Sequence, residues 1–201
     1  SAIVYYENPM LVMDRIVQAV VDAGERGLKL WLDGAPSQLG TKLFIEQLVR
    51  RELQCDVPVL YGEHHVSHAA SAFYPSPFDE AAILTIDGVG EWSTTTLATG
   101  GAEGLRLLEE IRFPHSVGLL YSAITQYCGF KVNSGEYKLM GLAPYGRPRY
   151  ADLIEQHLID LKDDGSFRLD MSYFAYTQEQ RMTGEKLHAL FGGPPREPES
   201  R

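Results

Sequence analysis

The sequence predicts an α/β fold with a mixed sheet flanked by helices, and three observations support this. Segments with helical periodicity are interspersed with short apolar segments that are typical of strands. A continuous apolar, β-favouring run at residues 81–86 predicts a buried strand. Four threonines among the eight residues 92–99 predict a strand that returns beside it as an antiparallel hairpin.

The predicted elements follow in order along the chain. Asn8 is the expected N-cap, and Pro9 the first residue, of a helix that runs to about residue 23. Further helices are predicted at 40–52, 64–74, 117–127, 150–161 and 177–191. Strands are predicted at 3–7, 57–61, 81–86, 92–99 and 105–113, with a hairpin joining 160–162 to 167–170. A turn is expected at 87–90 and a compact mixed segment at 135–146.

Composition and charge narrow the classes of function. The 201 residues are 44% hydrophobic and 22% charged, which is typical of a globular domain with its own core. The net charge of −9 and the lack of a basic run argue against nucleic-acid binding. No apolar run approaches the roughly 20 residues that span a membrane, and no signal peptide is predicted. Cys55 and Cys128, without a CxxC pair, are expected to be reduced thiols in a cytoplasmic protein.

The segment from His64 to Phe73 carries the most informative pattern. His64 and His68 are four residues apart, so on a helix both imidazoles point to the same side and can bind one ion. Imidazole suits iron, zinc and related divalent metals. His65 lies about 100° away around the helix and is less suited to the same ion. A zinc-protease helix would need a glutamate where His65 stands, and a histidine-rich helix satisfied by hydrogen bonds remains the alternative.

Asp87 follows the predicted buried strand and precedes the segment Gly88-Val89-Gly90-Glu91-Trp92. A carboxylate at a strand end, next to a glycine turn, is well placed to bind a cation. The glycines would let backbone N–H groups approach a phosphate, which makes the segment 88–92 a candidate nucleotide contact. Taken alone, these residues are better explained by an ordinary Asp-Gly hairpin turn.

Three segments together resemble the nodulation-protein-U type of O-carbamoyltransferases: His64 to Phe73, Asp87 to Glu91, and Gly135 to Gly146. They occur in that family's order, and the likeness covers most of residues 1 to about 175. The family includes enzymes that carbamoylate antibiotics and nodulation lipo-oligosaccharides. The resemblance implies part of an actin/Hsp70/sugar-kinase-like fold. It is weaker after Thr177, where the sequence pattern itself predicts that residues 176–201 form a C-terminal helix and a loose end.

The resemblance also implies a reaction and its partners. A separate domain makes carbamoyl-adenylate from carbamoyl phosphate and ATP, and the present domain passes the carbamoyl group to a hydroxyl of a sugar or antibiotic-like acceptor. The divalent metal, expected to be Fe(II), falls on His64, His68 and Asp87. The opening strands, the second half of the domain and a further aspartate ligand are expected to lie outside this chain. The chain would therefore work together with the rest of its own polypeptide and be inactive alone.

The group that takes the acceptor's proton is not identified by these patterns. His65 is a candidate because it lies beside the predicted ligands, although a structural or ligand-supporting role is favoured. Lys138, in the third segment, is a candidate contact for the nucleotide or carbamoyl phosphate, and a solvated surface lysine is its alternative. Two other functions remain open: a related module of the tRNA threonylcarbamoyl or hydrogenase-maturation carbamoyltransferase type, and a non-catalytic binding fragment.

Overall fold

The computed structural model describes residues 1–198, apart from the side chains at positions 30 and 33. Its helices are α1 (Pro9–Asp22), α2 (Gly27–Gly40), α3 (Ile45–Leu53), α4 (His64–Phe73), α5 (Val117–Tyr127), α6 (Glu136–Leu142), α7 (Ala151–His157) and α8 (Glu185–Phe191). Its strands are β1 (Ile3–Tyr5), β2 (Val59–Tyr61), β3 (Ala81–Gly90), β4 (Ser93–Gly101), β5 (Gly104–Arg112), β6 (Ile159–Leu161) and β7 (Phe167–Leu169). The predicted α/β class is confirmed. None of the helices in this part of the chain is long and apolar enough to cross a membrane.

The strands of the described residues form three separate sheets rather than one mixed sheet. β1 and β2 pair in parallel, β3, β4 and β5 form an antiparallel sheet in that order, and β6 and β7 form an antiparallel hairpin. The predicted β3–β4 and β6–β7 hairpins are therefore confirmed. β1 and β2 have three residues each, and within the described residues each of these strands pairs only with the other.

Helix α4 packs across one face of the β3–β4–β5 sheet. Ala69 and Phe73 on the helix meet Ile83 and Ala98 on the sheet in a small buried cluster. The Phe73 ring lies over Gly100, where an added Cβ would come within 2.7 Å of it, so this close approach requires glycine. The packing fixes which helix face is buried and which is turned towards the end of β3.

The predicted turn at 87–90 is wrong, because β3 continues to Gly90 and the chain turns at Glu91 and Trp92. The pairing of β3 with β4 is irregular between Ile86 and Gly90, and it resumes where Gly90 pairs with Ser93. Such an irregularity leaves backbone groups without a hydrogen-bond partner in the neighbouring strand. The backbone carbonyls of residues 87 and 88 accept hydrogen bonds from a side chain outside the sheet, as described below.

The C-terminal part differs from the prediction in two places. The helix expected at 150–161 ends at His157, because the chain then pairs with β7 as strand β6. The helix expected at 177–191 begins only at Glu185, because Thr183 forms an isolated bridge with Phe174 and the Met182 N–H bonds to the Gln126 side chain.

The buried cluster of the C-terminal part joins α5, α7 and α8 to the β6–β7 hairpin, and it consists of Ala123, Leu158, Leu169, Tyr173, Phe174, Met182 and Leu187. The expected loose end also packs against this part of the structure. Tyr127 Oη donates to the carbonyl of Gly193, and the Arg196 N–H donates to the carbonyl of Tyr127. The last residues of that predicted end, 199–201, lie outside the described residues.

Candidate metal centre

Helix α4 presents two imidazoles towards the same point. The helix begins at His64, so His68 lies one turn further along the same side. The Nε2 atoms of the two rings are 3.0 Å apart, and the rings meet edge to face with centroids 4.7 Å apart. The nitrogens therefore converge, as the spacing of the two residues predicts.

Asp87 is held in place through its backbone. The hydroxyl of Ser116, which caps the N-terminus of α5, donates to the carbonyls of Asp87 and Gly88 at 3.0 and 2.7 Å. An added Cβ at Gly118 would overlap the Asp87 carbonyl, so glycine allows the start of α5 to approach this closely. The Asp87 Oδ1 accepts the Gly88 N–H at 2.7 Å, which turns Oδ2 towards the two histidines.

The structure brings the three predicted ligands together. Asp87 Oδ2 lies 2.9 Å from His64 Nε2 and 3.5 Å from His68 Nε2, and the three donor atoms all lie within 4.8 Å of one another. Ligands about 2.1 Å from one metal ion are separated by about 3.0–3.4 Å in octahedral or tetrahedral geometry. The observed separations therefore suit a shared metal ion.

The chemistry of the donors also fits a cation. Two neutral imidazoles facing each other through Nε2 share a single hydrogen bond, whereas a metal ion accepts a lone pair from each. The hydrogen bond to His64 is the main reason why the pKa of Asp87 lies well below its usual range. The same bond raises the pKa of His64. Both directions show that Asp87 stabilises positive charge at this point, whether a proton or a metal ion carries it.

His65 lies on the other side of the helix and outside this group. Its side chain is buried against the sheet, where Nδ1 lies 2.6 Å from Thr85 Oγ1, and that hydroxyl is 2.7 Å from Thr96 Oγ1. Burial lowers the pKa of His65 and favours the neutral ring. These contacts match the supporting role that the sequence favours for His65.

The segment expected to contact a nucleotide divides into two parts. Gly88 and Val89 line an open cleft of about 880 Å³ that Asp87 also borders. Gly90 instead makes room for helix α4, because an added Cβ there would overlap the ring of His64. Packing against His64 therefore requires glycine at position 90, a role that the sequence did not suggest.

Glu91 and Trp92 are engaged by helix α1. The buried Glu91 carboxylate accepts the N–H of Asn8, and the Glu91 carbonyl accepts from Arg15. The Trp92 indole N–H donates to Asp14 at 3.1 Å. In the described structure, both side chains thus connect the β3–β4 turn to the first helix.

Lys138 lies apart from the candidate metal ligands. It is exposed on α6 and lines a different cleft, together with Gln126 and Lys131. Its neighbour Glu136 faces the cleft beside Asp87 instead, and its carboxylate accepts from Ser122 Oγ and the Asn133 N–H, both at 2.9 Å. The third sequence segment therefore reaches the candidate site through Glu136 rather than through Lys138.

Sequence patterns also missed Glu7, a buried acid that touches the site. Glu7 follows β1, and its carboxylate lies between Lys42 Nζ, at 2.9 Å, and His64 Nδ1, at 3.4 Å. A charged residue at the end of the predicted strand 3–7 was the available signal. Its meeting with His64 depends on packing between segments 57 positions apart in the chain, which no local pattern encodes.

Comparison with known proteins identifies the family. Residues 1–199 match the family model described as carbamoyltransferase N-terminus. The chain belongs to this family. The chain is 52% identical over 206 residues to the uncharacterized protein sll1178 of Synechocystis. This match covers 98% of the chain and 34% of that protein. The resemblance inferred from the three sequence segments is thus confirmed.

Two further relatives of the chain have names that refer to nodulation. Nodulation protein NolNO of Sinorhizobium fredii is 39% identical over 135 residues, covering 65% of the chain and 20% of that protein. Nodulation protein NolO of Bradyrhizobium diazoefficiens is 39% identical over 111 residues, covering 54% of the chain and 20% of that protein. The chain therefore spans about a third or less of the length of these relatives.

Proposed function

We propose that this chain is the metal-binding part of an O-carbamoyltransferase, which moves a carbamoyl group from carbamoyl-adenylate to a hydroxyl of a small-molecule acceptor. The observation that carries the proposal is the convergence of His64, His68 and Asp87 beside an open cleft, in a chain of the carbamoyltransferase family. The nodulation names of two relatives support an acceptor of the sugar or antibiotic-like kind, as in the enzymes that the sequence resembles.

The proposal includes the wider architecture of the protein. The chain forms part of an actin/Hsp70/sugar-kinase-like domain, and the rest of its own polypeptide completes that domain and makes carbamoyl-adenylate from carbamoyl phosphate and ATP. The chain covers only a small share of each relative, which supports the proposal that other parts of the polypeptide complete the domain and make carbamoyl-adenylate. The separate short sheets of the described residues agree with an incomplete domain.

His64, His68 and Asp87 are the proposed metal ligands. Two imidazoles and one carboxylate that leave coordination positions open are a donor set typical of Fe(II). When bound, the metal ion polarises a carbonyl or phosphate oxygen and orients the substrate. The chain's own contribution is to fix the ligands: α4 aligns the imidazoles, and Ser116 holds the backbone of Asp87.

The cleft beside Asp87 is the proposed place for the reacting groups. Gly88 and Val89 line it and remain the proposed backbone contacts for the nucleotide, while Glu136 borders it from α6. His65 is only 2% exposed and bonds to Thr85, which supports a role in orienting α4 over a role as the base. Lys138 stays a candidate phosphate contact only from its separate cleft.

The test measures metal content and carbamoyl transfer in the full-length polypeptide. Elemental analysis after loading with Fe(II) under anaerobic conditions should show one equivalent of metal in the wild type and little in His64→Ala or His68→Ala. His65→Ala, which removes an imidazole that orients α4 but lies outside the ligand group, should lose less metal than either ligand variant. Full occupancy in His68→Ala would rule out the proposed site.

The same proteins test the reaction. Carbamoyl phosphate, ATP and a panel of sugar and antibiotic-like alcohols are supplied, and the carbamoylated product is measured by mass spectrometry. Transfer should depend on both donor substrates and should be lost with the metal in His68→Ala. Transfer to a tRNA adenosine or to a hydrogenase-maturation protein, without transfer to small alcohols, would favour the alternative functions and contradict the proposed acceptor.

A further inference from the structure

Glu7 is a buried carboxylate directly behind one of the proposed metal ligands. It is 4% exposed and lies between strand β1 and the cap of helix α1. Its Oε1 accepts a hydrogen bond from Lys42 Nζ at 2.9 Å, while its Oε2 lies 3.4 Å from His64 Nδ1. One carboxylate therefore connects a lysine on one side with a metal-site imidazole on the other.

The orientation of the His64 ring leaves Nδ1 facing Glu7. The Nε2 atom is directed at Asp87 and His68, and Gly90 packs against the ring so closely that no Cβ would fit. The Nδ1 atom is buried and makes no hydrogen bond within residues 1–198. Because the distance to Glu7 Oε2 is only a few tenths of an ångström beyond the usual range, a small movement of either side chain completes the bond.

The chemistry of a metal-bound histidine requires a partner at this place. An imidazole that binds a cation through Nε2 keeps its proton on Nδ1, and a buried N–H needs an acceptor. Metal-bound histidines almost always donate that second N–H to a carboxylate, a backbone carbonyl or water, which fixes the tautomer and the ring orientation. A buried carboxylate is the strongest of these acceptors.

We infer that Glu7 is a positioning residue, which accepts the Nδ1–H of His64 and thereby directs the Nε2 lone pair of that ring at the metal ion. The inference rests on the proposed metal site. Lys42 has a separate task in this arrangement, because its ammonium group balances the charge of Glu7 from the side away from His64.

The second histidine has no equivalent requirement. The His68 side chain is 50% exposed, so water can accept from the ring nitrogen that does not face the metal. His64, at 15%, lies too deep to depend on water in the same way. The dependence on a protein carboxylate should therefore be specific to His64.

Two variants separate the metal-directed role of Glu7 from its ion pair. Glu7→Gln and Lys42→Met both break the Lys42–Glu7 pair, but only Glu7→Gln removes the carboxylate from His64. Zn(II) affinity, measured by competition with a chromophoric chelator, should fall about 10- to 100-fold in Glu7→Gln, the usual effect of losing a partner of this kind. Lys42→Met should bind Zn(II) nearly as tightly as the wild type, even if both variants unfold at a lower temperature.

A second measurement reads the proton directly. Long-range ¹H–¹⁵N spectra of the zinc-loaded protein with ¹⁵N-labelled histidine should show His64 protonated at Nδ1, with a Nδ1–H resonance that shifts in Glu7→Gln and stays in place in Lys42→Met. This measurement on the wild type decides the question even if Glu7→Gln does not fold, because a proton on Nε2 of His64 would overturn the inference.

The outcomes distinguish the inference from the proposed function. Zn(II) binding that is equally weakened in both variants would show that only the ion pair matters and would overturn the role of Glu7. Zn(II) binding that is unaffected in both would do the same while leaving the metal site intact. A wild-type protein that binds no Zn(II) would overturn the metal site itself, and the role of Glu7 with it.

Discussion

The C-terminal cluster and the sheet beneath α4 bury different kinds of side chains. The C-terminal cluster is built from large apolar residues, among them Leu158, Leu187 and Phe174. The cluster between α4 and the sheet contains four buried apolar residues, of which two are alanines. Much of the remaining buried surface of that sheet is polar, since Thr85, Thr94 and Thr96 also point inwards there.

The difference follows from what each region must hold. Apolar contacts are strong but have no direction, so they suit a region that contributes mainly stability. Hydrogen bonds weaken steeply when misaligned, and the chain from His65 through Thr85 to Thr96 therefore fixes α4 in one position over β3. The proposed metal site, whose ligands come from both α4 and β3, would need that precision more than a large core.

The largest expected effect lies in the apolar region. Leu187 is fully buried, so Leu187→Ala should lower the free energy of unfolding by about 2–5 kcal/mol, measured by urea denaturation. Leu161→Ala is the matched control, because that side chain is 64% exposed and should change stability by less than about 0.5 kcal/mol. The folded fraction of Leu187→Ala should bind Zn(II) like the wild type, and weakened binding would show that the two regions are coupled.

A smaller effect on stability, with a specific effect on the metal, is expected at Gly90. The new methyl group of Gly90→Ala would overlap the His64 ring, and overpacking of this kind costs about 1–3 kcal/mol. Displacement of the ring should also weaken Zn(II) binding. Gly88→Ala is the control, since its Cβ would meet only Leu119 at 3.7 Å, an ordinary contact. Unchanged Zn(II) affinity in Gly90→Ala would contradict the ring position described above.

The features of the site that the sequence predicts are those that depend on residues close together in the chain. The spacing of His64 and His68 places their imidazoles together on any helix, so their convergence follows from the sequence. The position of Asp87 near a strand end was also visible, but its orientation depends on the irregular β3 pairing and on Ser116. Glu7 was missed because its contact with His64 exists only after the chain has folded.

The difference between local and non-local contacts also explains where the predicted helices were wrong. Helix α2 was not predicted because Gly34 and Pro36 interrupt the helical pattern, yet in the structure the helix forms and packs against α1. Conversely, residues 177–184 have a helix-compatible composition, yet the bridge between Phe174 and Thr183 holds them in another conformation. In both places, contacts with another segment outweigh local preference, and these contacts cannot be inferred from the residues of the segment itself.

His115 connects the two regions. The carbonyl of His115 accepts from Thr94 Oγ1 at 2.6 Å, and its ring Nδ1 accepts the N–H of Leu169, a residue of the C-terminal cluster, at 3.2 Å. Burial lowers the pKa of His115, and the positive charge of Arg168 lowers it further. The neutral ring is therefore the form that the folded protein favours.

The smallest expected effect is a pH dependence of stability that arises at this connection. As the pH falls below about 6.5, the unfolded chain takes up a proton on His115 before the folded protein does, so the free energy of unfolding decreases. His115→Asn keeps an acceptor for the Leu169 N–H but cannot titrate, so urea denaturation between pH 7.5 and 5.5 should show a shallower loss of stability than in the wild type. Because other titrating groups cancel in that difference, parallel curves for the two proteins would mean that His115 is as easily protonated in the folded state as in the unfolded chain. Such a result would contradict a buried His115 ring whose protonation is disfavoured by its surroundings and by the charge of Arg168.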